Sequence, residues 1–302
     1  MIYSKTENIN NECQGLFSRT KVLSRGLSEF FGSTSVSNEG SEGTYGEFHS
    51  DRENRANKKS IKKPFTVIVE GNVGSGKTTF LNRFMQSGNV ANRNPLSEHV
   101  EVIPEPVSKW QNLHGSNLLK LMYEDPKRWS LMFQSYVHLT MVQQHTNIQS
   151  TKPIRMMERS LFSARYCFNE NLYRNGYLTD TEYAALTEWF NFLIDCPKLS
   201  FQVDQIVYLR TDPEVAYERI QKRSRSEETS VPFGYIKDLH ELHEEWLIRQ
   251  TKFKIPAPIT IIDANQDLEV LTETYNEQGK QLLNEARNRI FGNVRVIRNM
   301  FV

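Results

Sequence analysis

The stretch FTVIVEGNVGSGKTT (65–79) constrains the fold more than any other part of the chain. A β-branched run stopped by Gly71 reads as a buried strand. It runs straight into the pattern G-x-x-x-x-G-K-S/T, filled by Gly71, Gly76, Lys77 and Thr78. Glycines let the backbone curl until several N–H groups point inward at phosphate oxygens. The N-terminus of the following helix adds its partial positive charge. Lys77 reaches the outer phosphates, and the Thr78 hydroxyl is offered to Mg²⁺. The whole loop, Gly71, Asn72, Val73, Gly74, Ser75, Gly76, Lys77, Thr78 and Thr79, is therefore expected to cradle ATP or GTP. The bland alternative is a glycine-rich turn that holds nothing. The strand before the loop and the helix after it speak against that.

The same texture recurs downstream. Short apolar runs at VEVIP (100–104), IRMME (154–158), QIVYL (205–209) and ITIID (259–263) read as strands. Three- and four-residue apolar spacing predicts helices over 125–145, 160–174, 179–194, 212–223 and 235–250, with Asp125, Asp180 and Asp212 as N-caps. Alternating strands and helices imply an α/β fold, a five-stranded parallel sheet flanked by helices. The 302 residues, 38% hydrophobic and 24% charged, are enough to bury its core.

The termini differ. Residues 1–60 are rich in Ser, Gly, Asn and Glu and poor in aliphatics, so they are expected to stay disordered. Within them, Leu16, Leu23 and Leu27 alternate with Arg19, Lys21 and Arg25 as in a mitochondrial transit segment. Glu7, Glu12 and Glu29 argue against that, so a mitochondrial and a cytoplasmic location both stay open. The folded domain is expected over 61–290, with a C-terminal tail at 291–302. A net charge of +1, with acids interleaved among the bases, excludes the basic stripe of a nucleic-acid binder. No apolar run approaches the roughly 18 residues of a membrane span. Cys13, Cys167 and Cys196 are scattered, which points to a reducing compartment and away from structural zinc.

A phosphate loop serves kinases, GTPase switches and ATPases alike. The guanine-reading N-K-x-D stretch of a GTPase is missing from this sequence. The strand IRMMERS ends in Glu158 and Arg159. Glu158 suits Mg²⁺ or its water shell, and Arg159 places positive charge near a transferring phosphate. In IPEPVSKW, Glu105 falls at the carboxyl end of a strand, the edge where open α/β sheets bind ligands. There it can take the proton of an attacking hydroxyl.

Seven blocks in order carry a closer likeness: EGNVGSGKTT, EPVSKW, LMYEDPKRW, FQSYVHLTM, MERSLFSARYCFNENLYRNG, VYLRTDPEVAYERIQKRSRSEE and LHELHEEWLI. Together they resemble the deoxyribonucleoside kinase family, nearest to its insect multisubstrate and mitochondrial thymidine-phosphorylating branches, over about 64–267. The resemblance implies a P-loop kinase fold with a short helical lid, and transfer of the ATP γ-phosphate to a deoxynucleoside 5′-hydroxyl with Mg²⁺. It implies Glu105 as general base and Arg159 on the 5′-oxygen and incoming phosphoryl group, with Glu158 and Thr78 serving the metal. Gln134 would pair with the base between Trp110, Phe133 and Phe168, with Leu119 and Met122 on the pocket wall. Tyr123 and Glu228 would hold the sugar 3′-hydroxyl.

In the family, QKRSRSEETSVP (221–232) is the lid over the phosphates. Arg223 and Arg225 then clamp them, and Arg219 lies on the adenine side. Where the cytidine-preferring branch carries an Arg and an Asp, this chain has Met141 and Ala164, with Val137 nearby. That leaves apolar room for a thymine methyl, so thymidine and deoxycytidine are the expected substrates, and small Ala164 also admits purines. Family membership further implies a homodimer through helices 125–145 and 160–174, and feedback inhibition by a deoxynucleoside triphosphate. SGNVANRNP (87–95) is extra relative to the family pattern and reads as a surface loop. A nucleoside monophosphate kinase is the competing enzyme; Glu105 would sit badly beside the acceptor's phosphate there. A nucleotide-binding protein with a silent site would not need Lys77, Thr78, Glu105, Glu158 and Arg159 together.

Overall fold

The computed structural model describes residues 63–85, 98–147, 150–223, 225, 227 and 231–291. The expectations for residues 1–60, for the 87–95 loop, for Glu228 and for 292–302 lie outside them. Five parallel strands form one sheet in the order β2-β3-β1-β4-β5. They are β1 (Phe65–Glu70), β2 (Val100–Ile103), β3 (Ile154–Glu158), β4 (Gln205–Arg210) and β5 (Ile259–Asp263). All six residues of β1 are buried, as a central strand covered on both faces requires.

Strand alternation divides the interior in two. Val67 and Val69 join Phe80, Met156, Leu271 and Tyr275 on one face of the sheet. Ile68 joins Met157, Ile206, Tyr208, Phe133 and Trp246 on the other. The register pairs Val69 with Glu158 and Ile103 with Met157. The carboxyl ends of β1, β3 and β2 therefore finish side by side, and Gly71, Arg159 and Glu105 leave the sheet at one edge. The order turns back there, since β1 pairs with β3 on one side and β4 on the other.

The helices are α1 (Lys77–Asn82), α2 (Val107–Gln111), α3 (Leu118–Glu124), α4 (Pro126–Thr146), α5 (Leu161–Ser163), α6 (Glu170–Arg174), α7 (Asp180–Asp195), α8 (Pro213–Arg223), α9 (Phe233–His243) and α10 (Leu268–Phe291). Asp125 caps α4 as expected, accepting from the Arg128 amide, and Pro126 opens the helix where its missing N–H costs nothing. The cap of α7 is Thr179 rather than Asp180. The Thr179 hydroxyl accepts from the Glu182 amide while Glu182 accepts from the Thr179 amide, a reciprocal box that leaves Asp180 in the first turn.

The predicted helix over 160–174 is not uniform. Between α5 and α6, Ala164–Asn169 winds as a π-helix. The segment is held from behind by Glu170, which is buried and accepts from Tyr183 at 2.6 Å, from Arg174 at 2.9 Å, and from Lys252. A second π turn, Glu244–Arg249, ends the helix predicted over 235–250. Helices α2 and α3 are too short for periodicity to reveal, and α10 (Leu268–Phe291) lies outside all of the predicted helices.

Candidate active site

The phosphate loop is shaped by its glycines where the chain comes closest to its neighbours. Gly74 has φ +80°, and a Cβ there would stand 2.4 Å from the Ala216 carbonyl oxygen, so only glycine lets α8 pack on the loop. Asn72 donates to the Ile236 carbonyl at 2.8 Å and accepts from the Val73 amide at 2.8 Å. Gly71, Asn72 and Ser75 lie off the cavity wall, so their side of the loop shapes it, while Val73, Gly74, Gly76, Lys77, Thr78 and Thr79 line the cavity. Lys77 is buried and donates to the carbonyls of Asn72 at 2.7 Å and Gly71 at 3.2 Å. Burial, followed by the charge of Arg159, lowers its ammonium to about 7, against the pull of Glu158, Glu105 and Glu70.

Beside the loop stands a group of charges. The Thr78 hydroxyl donates to Glu158 at 2.7 Å, which brings together two oxygen donors from α1 and the end of β3. An all-oxygen pair at the phosphate loop fits Mg²⁺. Arg159 follows with φ +63°, a conformation rare for a residue with a side chain. Its amide donates to the Val69 carbonyl at 3.0 Å, and its guanidinium donates to the Gly71 carbonyl at 3.0 Å. Its Nε lies 2.9 Å from Glu105, an ion pair in which the N–H is not aimed squarely at the oxygen. The guanidinium also lies over the Phe168 ring, 4.7 Å from its centroid. Burial pushes the Glu105 carboxyl up, and Arg159 draws it back down. Beneath them Glu70 accepts from the Ser160 hydroxyl at 2.6 Å. Burial pushes Glu70 up to about 7 even with the Ser160 bond and Arg159 opposing it.

One cavity of about 710 Å³ joins this group to an apolar pocket. Phe133, Gln134, Val137 and Met141 share the inner face of α4, at the spacing a helix face demands. Trp110 donates from its indole to the Thr140 hydroxyl at 3.0 Å and meets Phe133 edge to face at 5.7 Å. Leu119, Met122 and Tyr123 come from α3, and the π turn contributes Ala164 and Phe168. Gln134 is only 2% exposed, yet its side-chain oxygen has no hydrogen-bond partner. A buried amide left short in a roomy, aromatic-walled pocket is arranged for a ligand.

At the other end Arg219, Arg223 and Arg225 line the cavity. Arg219 donates to the carbonyls of Ala264 at 2.7 Å and Gln266 at 2.9 Å, tying α8 to the segment between β5 and α10. Glu227, next to Glu228, accepts from Gln111 and Asn117 at 3.0 and 2.9 Å, linking the lid to α2 and α3. The structure adds Val107, Ser163, Tyr235, Asp267 and Tyr275 to the wall. Val107 and Ser163 fall inside quoted blocks but had no assigned role, while Tyr235, Asp267 and Tyr275 lie outside every block; Leu271 and Tyr275, four apart on a helix, are a local signal for a shared face.

A phosphate loop at the carboxyl edge of a parallel sheet, opening on an aromatic-walled pocket with a carboxylate between, defines a P-loop kinase of a small molecule. Residues 67–289 match the family model Deoxynucleoside kinase, and the chain belongs to that family and is a phosphotransferase. Thymidine kinase 2, mitochondrial, of Macaca fascicularis is 42% identical over 247 residues, covering 82% of this chain and 86% of that protein. The Homo sapiens protein of the same name is 43% identical, covering 77% and 81%. Deoxycytidine kinase of Mus musculus is 34% identical, covering 74% and 91%.

Proposed function

We propose that the protein phosphorylates the 5′-hydroxyl of thymidine and deoxycytidine, and of purine deoxynucleosides as well, using ATP, in nucleotide salvage. The observation that carries this reading is the unpartnered oxygen of Gln134, buried between Phe133, Trp110 and Phe168 in the cavity that also holds the phosphate loop. A side-chain amide offers one donor and one acceptor, so it pairs with either pyrimidine according to how it is turned. Met141, Val137 and Ala164 leave apolar space beside it, which suits a thymine methyl.

In this reading Glu105 accepts the proton of the 5′-hydroxyl, the oxygen bonds to the γ-phosphorus, and the bond to the bridging oxygen breaks to release ADP. Arg159 lies against Glu105 and balances the charge on the entering oxygen and the phosphoryl group. Lys77, Arg223 and Arg225 hold the phosphate chain. Thr78 and Glu158 would hold Mg²⁺, which supplies charge neutralisation between the outer phosphates when bound. Tyr123, with Glu228, would fix the sugar 3′-hydroxyl. The raised Glu105 carboxyl is suited to a base working near neutrality.

The continuous cavity also suits inhibition by a deoxynucleoside triphosphate, with its base at Gln134 and its phosphates on the loop. A homodimer would use α4 and α7, where Met132, Leu139, Trp189 and Phe192 are about half exposed. The 160–174 segment, expected at that contact, is mostly buried within the chain. Two of the relatives named above are called mitochondrial, and that location is proposed here too, with the cytoplasm as the alternative. Purified enzyme assayed with ATP, Mg²⁺ and each of the four deoxynucleosides tests the function. Thymidine and deoxycytidine should be turned over well, and activity on purines alone would overturn the assignment.

A further inference from the structure

Tyr275 stands at the site without belonging to any motif. It lies on α10 and is 1% exposed, with its ring edge-on to Phe80 of α1 at 5.0 Å and 83°. Arg83, just past α1, donates to Thr272 at 2.5 Å and to Asn276 at 3.3 Å. Those two bonds flank Tyr275 along α10 and fix the depth of its ring against the phosphate-loop helix. Phe80 and the surrounding apolar side chains satisfy the ring as they would a phenylalanine.

The hydroxyl is different. It is buried and has no hydrogen-bond partner. It stands 3.5 Å from where a Cβ on Gly76 would lie, at the N-terminus of α1. The residue lines the same cavity as Lys77, Thr79 and Arg219. Burial raises its ionisation above that of an ordinary tyrosine, with Arg219 and Arg83 opposing, so the oxygen keeps its proton and remains a donor. A buried hydroxyl without a partner is costly, and an apolar ring would occupy the place without that cost. The group is therefore positioned for something that enters the cavity. It also approaches from the opposite core to the base pocket, on the far face of the sheet.

We propose that Tyr275 is a further binding residue for the phosphate donor, its hydroxyl donating a hydrogen bond to ATP seated on the loop. This rests on the kinase reading above. The test is Tyr275→Phe, which removes one oxygen and keeps the ring. The melting temperature should hold or rise, because the deleted group has no partner in the protein. The KM for ATP and the Kd for ATP by titration calorimetry should both weaken about 3- to 10-fold, the range for one hydrogen bond. The KM for thymidine should stay unchanged. ATP constants within twofold of wild type would overturn the proposal. So would a fall in melting temperature with ATP binding intact, since the hydroxyl would then serve the fold. If the wild type binds ATP but phosphorylates no deoxynucleoside, the kinase reading fails while the calorimetric comparison still decides the role of Tyr275.

Discussion

Arg159 occupies a left-handed conformation that favours glycine, and it does so with a buried guanidinium. Such strain is held only where surroundings over-determine it, and here they do. The Val69 and Gly71 carbonyls, Glu105 and the Phe168 ring each take one side of the residue. In the proposed mechanism its partner Glu105 is the general base. Glu105→Gln preserves shape but cannot accept a proton, so kcat should fall by about 10²- to 10⁴-fold with little change in ATP affinity. Steady-state kinetics with thymidine check this; a variant with wild-type kcat would remove Glu105 from the role of base. The identity of both residues was legible in their short motifs. The ion pair between them was not, because 54 positions of chain must fold back before they meet.

Among elements, α8 packs directly against the phosphate loop at Gly74. Gly74→Ala puts a methyl 2.4 Å from the Ala216 carbonyl and also forces φ +80° on a residue with a Cβ. Gly115 provides the comparison: its φ is +91°, but nothing lies within 4 Å of the added carbon. Gly115→Ala should cost about 1–2 kcal/mol, the penalty of the conformation alone. Gly74→Ala should cost clearly more and should raise the ATP KM, because α8 carries Arg219 and Arg223. Urea unfolding of both variants separates clash from strain, and equal losses would show that α8 yields freely. The helices α4 and α8 were readable from apolar spacing. The π turn at Ala164–Asn169 was not, since it changes the winding while leaving a helix-like pattern of residues. Glu170 stands at its end, with cationic partners that are local (Arg165, Arg174) and distant (Lys252).

At the scale of the molecule, His138, His145 and His243 are buried in the neutral form. Burial lowers His138 to about 4, and His145 and His243 to about 3. Each binds its proton more readily unfolded than folded, so acid favours unfolding between the usual imidazole range and those values. From pH 7 to 5.5 each should remove about 1.2 kcal/mol. Glu70 has the opposite sign. Its folded pKa, about 7, lies above the ordinary carboxylate value, so its burial cost is relieved as pH falls through that window. For these four groups the sum is a loss of roughly 2–3 kcal/mol. Denaturant midpoints of the wild type and of a His138→Gln variant at the two pH values measure it: the variant should lose less on acidification, and an equal loss would contradict the buried neutral state of His138.

The amino-acid sequence by itself determined the parallel α/β class and the phosphate loop, and put Glu105, Glu158 and Arg159 at strand ends; Gln134 stood out only through the family resemblance. Those features rest on local geometry: strand alternation, a glycine turn and the spacing of a helix face operate within a few residues. Only the tertiary structure decided that Asn72 braces the loop on Ile236 and faces away from the cavity, and that the Gln134 oxygen is left without a partner. The same holds for Tyr235 and Tyr275 joining the wall. Those outcomes depend on which elements the sheet order brings together, and on what burial leaves unsatisfied once they have packed.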